Sequence, residues 1–249
     1  MYKRATVISF SPTGNSLKSA VAMAEVIGET VEVVDVTTDV SPEGWPFGPE
    51  DFVIFSAPVY GGRIPKIARE RFLLWKGQNT PCIAVVTFGN RDFDDALLEV
   101  ADLAKEQGFQ VKGAAALVGR HTFGEIQVDR PNEEDLAQDR AFAEKVLAQP
   151  ENAEVQIPGN RPYKDGGNGG KFRPLTSDKC VGCGICETNC PVQAIAGDCV
   201  SISDHCISCF RCIRNCPVGA KNMDTPAYQE FAVMFTERLK ERKENQFFL

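Results

Sequence analysis

Eight of the ten cysteines in this chain fall into two copies of one pattern. The first reads CVGCGICETNCPVQA from Cys180 to Ala194, and the second CISCFRCIRNCPVGA from Cys206 to Ala220. Each is C-x2-C-x2-C-x3-C-P, and the step from Cys180 to Cys206 gives a period of 26 residues. Iron in a cubane cluster takes soft thiolate donors. Three cysteines at steps of three can wrap one cluster in a tight loop. The fourth comes at a longer step, opens a short helix and points elsewhere. Pro191 and Pro217 suit the first turn of that helix, where no amide donor is needed. Structural zinc uses paired C-x2-C units and a dithiol redox motif uses one. Neither requires the third cysteine in both loops. The chemistry these residues point to is therefore two [4Fe–4S] clusters, and with no ligand missing a three-iron variant is disfavoured.

The pattern resembles that of bacterial two-cluster ferredoxins, in which the fourth cysteine of each motif serves the other cluster. The expected ligand sets are then Cys180, Cys183, Cys186 and Cys216 for cluster one, and Cys206, Cys209, Cys212 and Cys190 for cluster two. Cys82 and Cys199 are left over. Cys82 lies in an apolar strand and reads as a core residue, and Cys199 reads as packing near a cluster. His121 and His205 are the only histidines, and neither is needed as a ligand.

A second constellation lies near the start, at Ser9, Phe10, Ser11, Pro12, Thr13, Gly14, Asn15 and Ser16. Small and hydroxyl residues follow a strand and open a helix, which makes an anion site from backbone amides, the positive helix end and neutral donors. A plain capped helix start explains this loop alone equally well. Two further strand-end loops favour the ligand. In APVYGGRIP, Tyr60 offers a flat face and Gly61 and Gly62 allow close backbone approach. TFGNRDF, from Thr87 to Phe93, again places aromatic and glycine residues at a strand end. The run GGNGGK at 166–171 lacks the spacing, the preceding strand and the hydroxyl residue of a phosphate loop, and reads as backbone flexibility.

The elements that must position these residues are legible as periodicity. Apolar strands are expected at 5–10, 31–36, 52–57, 82–88 and 111–118. Helices are expected at 17–27, 64–75, 96–107 and 132–148. Five strand–helix repeats with continuous apolar strands imply an α/β domain over residues 1–149, doubly wound about a parallel sheet. Ligands of such sheets sit beyond the carboxyl ends of the strands. Residues 150–176, with their prolines and clustered glycines, read as a linker or irregular covering loop. Residues 177–224 form the small α+β cysteine-rich domain. Residues 225–249 read as a C-terminal helix capped by Thr225, with Pro226 at its first position. Phe247, Phe248 and Leu249 are left to pack on the body, dock a partner or form a dimer seam.

Composition excludes several classes. The chain is 43% hydrophobic and 24% charged, as in globular proteins. Its net charge of −7 leaves no basic stripe for nucleic acid. No apolar run approaches membrane-helix length. The opening MYKRATVISF has no apolar leader core, so a cytoplasmic protein is expected, with the cysteines as metal ligands.

Residues 1–149 resemble flavodoxins, whose phosphate loop follows Ser/Thr-x-Thr-Gly-x-Ser/Thr; Ser11 to Ser16 matches at every position. Nearly the whole chain is similar to the ferrodoxin family of flavodoxin–ferredoxin fusion proteins, through PVYGGRIP, FGNRDFDDAL, GRHTF, DRP and PGNRPYK. The resemblance implies a flavodoxin-like five-stranded sheet of order 2-1-3-4-5 and FMN as cofactor. Ser11, Thr13, Gly14, Asn15 and Ser16 would hold the phosphate. Pro58, Val59, Tyr60 and Gly61 would lie against the isoalloxazine, and Phe88, Gly89, Asn90 and Arg91 would close its other side. Flavodoxins stack a tryptophan and a tyrosine on the ring; neither loop here carries a tryptophan, and Trp45 and Trp75 read as structural. The expected function is electron relay between FMN, the two clusters and redox partner proteins. The alternative is an FMN-dependent iron–sulfur oxidoreductase acting on a small molecule, with Arg91, Asp92, Arg120 and His121 beside the flavin. A sensor using cluster integrity ranks last, because no output domain is visible.

Overall fold

A computed structural model describes residues 1–38, 46–150 and 153–249. In chain order the first half runs β1 (Tyr2–Ser9), α1 (Asn15–Ile27), β2 (Gly28–Asp35), β3 (Pro46–Phe47), β4 (Phe52–Pro58), α2 (Lys66–Phe72), β5 (Lys76–Gly77), β6 (Thr80–Phe88), α3 (Ala96–Glu106), β7 (Phe109–Val118) and α4 (Glu133–Leu147). The second half runs β8 (Leu175–Thr176), α5 (Ile185–Thr188), α6 (Arg211–Arg214), β9 (Lys221–Asn222), α7 (Pro226–Arg238) and β10 (Gln246–Phe248). Trp45 lies outside the described residues. Among them, no helix is long and apolar enough to cross a membrane.

The main sheet has the order β2-β1-β4-β6-β7, all parallel. Numbered by succession this is 2-1-3-4-5, the order of flavodoxin-like sheets. The apolar strands feed both faces, because successive side chains point to opposite sides. Val53, Phe55 and Ala57 of β4 join one core with α2 and α3 residues such as Phe72, Leu97 and Val100. Phe52 and Ile54 join the other with Met23 and Ile27 of α1 and Phe142 and Val146 of α4. Cys82 is wholly buried in the first core, where burial raises its thiol pKa. Trp75 is buried beside Phe47, ring centroids 6.1 Å apart.

The C-terminal segment departs from a single helix. Thr225 caps α7, its Oγ1 accepting from Tyr228 N at 3.2 Å, with Pro226 first in the helix. The helix stops at Arg238, and the chain returns as β10, a sixth strand antiparallel to β7. Residues 239–246 are rich in helix formers, so tertiary contacts override propensity here. Asn90 Nδ2 donates to the Leu239 and Glu241 carbonyls at 2.8 and 2.6 Å, and Asn245 Oδ1 accepts from Val118 N at 2.9 Å. Phe247 then packs on Phe142 at 4.9 Å, and Phe248 turns to the opposite core. The strand covers what would be an open sheet edge.

Residues 153–174 are irregular and fastened down. Asn160 N and Lys164 N both donate to Asp95, at 2.8 Å each, and Arg161 and Tyr163 reach Asp102. Gly167 N donates to Tyr60 O at 2.8 Å. This stretch, the covering loop hereafter, runs from the α3 face to the cysteine-rich region.

Candidate functional site

The eight motif cysteines sort into two cavities. One is lined by Cys180, Cys183, Cys186 and Cys216 together with Cys199 and Lys221. The other is lined by Cys206, Cys209, Cys212 and Cys190. The fourth cysteine of each motif thus lies with the other motif's three. The cause is local: each motif turns through a left-handed residue, Gly184 or Phe210, into a four-residue helix. That helix carries the chain across to the neighbouring cavity. Among the described residues no three His, Cys, Asp or Glu side chains converge as ligands of a single metal ion. Thiols spaced around a cavity suit a cluster, whose irons each take one.

The sulfurs are held in matching surroundings. Ala194 N donates to Cys190 Sγ at 3.2 Å, and Ala220 N to Cys216 Sγ at 3.1 Å, the same position in each repeat. Burial opposes a thiolate at Cys216, but the amides of Lys221, Val218, Ala220 and Gly219 outweigh it and lower the pKa. Burial pushes Cys209 and Cys212 up to about 12. Buried thiols of that kind ionise when a metal cation supplies the compensating charge. Cys199 is buried against Cys186 and Ile195, so it packs at the first cavity.

A third and larger cavity, about 740 Å³ including its mouth, opens at the carboxyl edge of the sheet. Ser11, Pro12, Thr13, Asn15 and Ser16 line one end, and Pro58, Val59, Tyr60, Gly61, Thr87, Phe88 and Gly89 the walls. α1 begins here with Gly14 left-handed at φ 89°, no side-chain cap and no acid in its first turn. The amides of Asn15 and Ser16 and the positive helix end are left for an anion. Thr37 Oγ1 accepts from Ser11 N at 2.8 Å, and Ser11 Oγ from Leu17 N at 3.1 Å, which fixes the loop. The Tyr60 hydroxyl meets Thr122; burial, then the nearby Cys209, push its pKa up.

Two expected residues are placed elsewhere. Asn90 is buried, but its side chain is spent on Leu239, Glu241 and Lys243 of the returning tail. Arg91 pairs with Asp94 at the surface. Neither lines the cavity, and Asp92 does not either. Gly14 contributes its backbone turn rather than a lining atom.

Other lining residues lie outside the expected FMN set, although the oxidoreductase reading places Arg120 and His121 beside the flavin. Arg120, His121, Thr122 and Phe123 come from the loop after β7, Gly169 and Gly170 from the covering loop, and Ile207 and Ser208 from the second cysteine motif. GRHTF was the one sequence signal for the first group. Nothing local marks Ser208, because its place depends on how the cysteine-rich region docks. Its Oγ lies within hydrogen-bonding reach of the Gly170 and Phe172 carbonyls. Gly169 has φ 75°, and a Cβ there would overlap the Ile207 carbonyl; one on Gly170 would stand 2.5 Å from the Phe123 ring. These glycines serve close approach, beyond the flexibility read from sequence. Burial lowers His121 to about 4. Its Nδ1 lies 2.8 Å from Phe123 N and 3.1 Å from the Phe123 carbonyl.

Ile207 and Ser208 line both this cavity and the one holding Cys190, Cys206, Cys209 and Cys212. These two residues form a wall common to both cavities.

Comparison with known proteins matches the model of the 4Fe-4S binding domain to residues 175–196. That stretch belongs to an iron–sulfur cluster-binding region. No curated protein matches the chain. Among solved structures, a flavodoxin from the domain Archaea is 20% identical, covering 58% of this chain and 99% of its own, with a TM-score of 0.39. A flavodoxin from Streptococcus pneumoniae TIGR4 is 20% identical over 58% of this chain and 97% of its own, with a TM-score of 0.38. Rubredoxin oxygen:oxidoreductase from the anaerobe Desulfovibrio gigas is 15% identical over 59% of this chain and 35% of its own, with a TM-score of 0.43. This chain therefore spans about a third of that last protein. All three scores lie below 0.5, and the fold rests on the strand order itself.

Proposed function

We propose that this chain is an electron-transfer protein of the ferrodoxin kind, built to hold FMN in the sheet-edge cavity and two [4Fe–4S] clusters in the cysteine-lined cavities. Flavin exchanges one or two electrons, and each cluster one. The observation that carries the reading is the wall of Ile207 and Ser208 shared by the flavin cavity and that of cluster two. Ser11, Thr13 and Ser16 with the first turn of α1 suit a phosphate. Tyr60 and the glycines of its loop suit a flat ring. In this reading the covering loop fixes the two regions against each other, so exchange needs no swinging linker. Donor and acceptor are redox proteins, and the setting is the cytoplasm. Anaerobic purification with iron, sulfide and FMN quantitation tests it. About eight iron, eight sulfide and one FMN per chain are expected. Protein that takes up no flavin on reconstitution, with the clusters present, refutes the FMN assignment.

One observation favours the oxidoreductase alternative: Arg120 and His121 line the flavin cavity. Steady turnover of a small acceptor, lost in His121→Ala with FMN retained, would establish it.

A further inference from the structure

The two cysteine motifs are copies, so positions 26 residues apart compare directly; two pairs that line the cavities differ in kind, Ile185 with Arg211, whose guanidinium reaches away to the Pro12 carbonyl, and Ile195 with Lys221. Ile195 follows Cys190 by five residues, and Lys221 follows Cys216 by five. Each lines the cavity of the cluster its neighbouring fourth cysteine faces: Ile195 that of cluster two, Lys221 that of cluster one. Both are buried, at 6% and 3% exposure. One copy thus presents a methyl group and the other an ammonium.

A buried ammonium needs a counter-charge, since taking it out of water costs several kcal/mol. Lys221 Nζ donates to Thr176 Oγ1 at 2.7 Å and to the Cys199 carbonyl at 2.6 Å, both neutral acceptors. Two of its three donors are then used. Among the described residues no carboxylate forms an ion pair with it. Asp198 lies within its field, but that carboxylate is exposed and takes bonds from Val200 N, Ser201 N and Ser201 Oγ. The missing counter-charge lies on the cavity side.

We propose that Lys221 is the built-in counter-ion of cluster one and makes it the more easily reduced of the two clusters. The inference rests on the two-cluster reading above. Reduction adds one electron to the cluster and its four thiolates, with no bond made or broken. The ammonium stabilises the added negative charge by Coulomb attraction in a site shielded from water. Its field reaches Cys186 of cluster one and also Cys206 and Cys212 of cluster two, where Arg173 acts on Cys206 as well; Lys221 lines the cavity of cluster one alone, so cluster two is to shift in the same sense by less. The electron that enters the cluster pair then settles on the cluster farther from the flavin cavity. That cluster is the one bordered by exposed Cys183, Val181 and Val218. Lys221 is a positioning residue for charge, acting through the cluster's surroundings and not as a ligand.

The test compares wild type with Lys221→Met and Lys221→Arg as full-length, anaerobically loaded protein. Iron and sulfide are counted first, and each cluster's reduction is then followed by EPR-monitored redox titration with dithionite. Spectra of Cys183→Ser and Cys209→Ser assign the two signals. Lys221→Met should lower the electron affinity of cluster one at least tenfold relative to cluster two, ~59 mV for a one-electron couple. Lys221→Arg should keep most of the wild-type difference. Loss of cluster one in Lys221→Met with retention in Lys221→Arg equally supports the counter-ion role. Unchanged potentials in loaded Lys221→Met, a shift confined to cluster two, or equal loss in both variants overturns it. Wild-type protein that binds fewer than two clusters refutes instead the reading on which the proposal stands.

Discussion

In the sheet domain Ile8, Phe10, Phe55, Phe72, Ile83 and Leu97 are all wholly buried, within two cores that sandwich five parallel strands. In the cysteine-rich region the corresponding cluster is Cys186, Ile195 and Cys199, and the regular structure is two four-residue helices and a two-residue strand pair. The first region has its stabilising free energy in apolar burial. The second has too little core to order its loops unaided, and in such small metal domains ligand binding is the folding energy. The covering loop and α7 join a self-sufficient body to a dependent one.

Iron removal gives the largest expected difference between them. Chelation should unfold residues 177–224 while the sheet persists. Hydrogen exchange should show protection lost around the cysteine motifs and retained in β1, β4 and β6; uniform protection would break the comparison. Within the dependent region, Cys190→Ala should damage the cluster held by Cys206, Cys209 and Cys212 more than that of its own loop. Site-resolved spectra showing the reverse would undo the crossed ligand sets.

At the junction, Gly169→Val puts a branched side chain at φ 75° against the Ile207 carbonyl. FMN affinity should fall at least tenfold, read by fluorescence titration of the apoflavin protein, with iron content kept. Unchanged affinity would separate the covering loop from the flavin cavity.

How much of this was legible follows the range of the interactions. The motif cysteines lie within short loops, so spacing alone carried the cluster motif; their crossed grouping came from the resemblance to two-cluster ferredoxins, and the two cavities sort them the same way. The central parallel strands β4 and β6 are apolar on both faces and announce themselves. The last turn of the tail did not, because LKERKENQ is helix-prone and the groups that turn it back are distant in sequence: the open edge of β7, the side chain of Asn90, and Arg130, which donates to the Lys243 carbonyl and to Asn245 Oδ1. Asn90 itself looked like a flavin contact, being next to Gly89 at a strand end. Its partners are some 150 residues away in sequence, as Leu239 and Glu241 show. Ser208 and Gly170 were invisible for the same reason.

Smaller effects belong to the body. Phe247→Ala removes the ring packed at a tilt on Phe142. It should cost about 2 kcal/mol, below the 3–5 kcal/mol of a fully buried phenylalanine, in urea unfolding of the sheet, with both clusters unaffected. Asp139 of α4 is wholly buried, and burial raises its carboxyl to about 7 against the opposing influence of the nearby Ser19 hydroxyl. Its folded value exceeds its unfolded one, so the protonated carboxyl's stabilising contribution is present at pH 4 and is lost as pH rises to 7. Asp139→Asn should flatten that slope in thermal melts across the window; an unchanged slope would locate the effect elsewhere.

The shared wall of Ile207 and Ser208 is tested most directly by photoreducing the flavin anaerobically in the loaded protein and following bleaching of the cluster absorbance. Cluster bleaching at a rate independent of protein concentration is the predicted result. A rate that scales with concentration, or clusters that stay oxidised beside a reduced flavin of sufficiently low potential, would contradict direct exchange between the two regions.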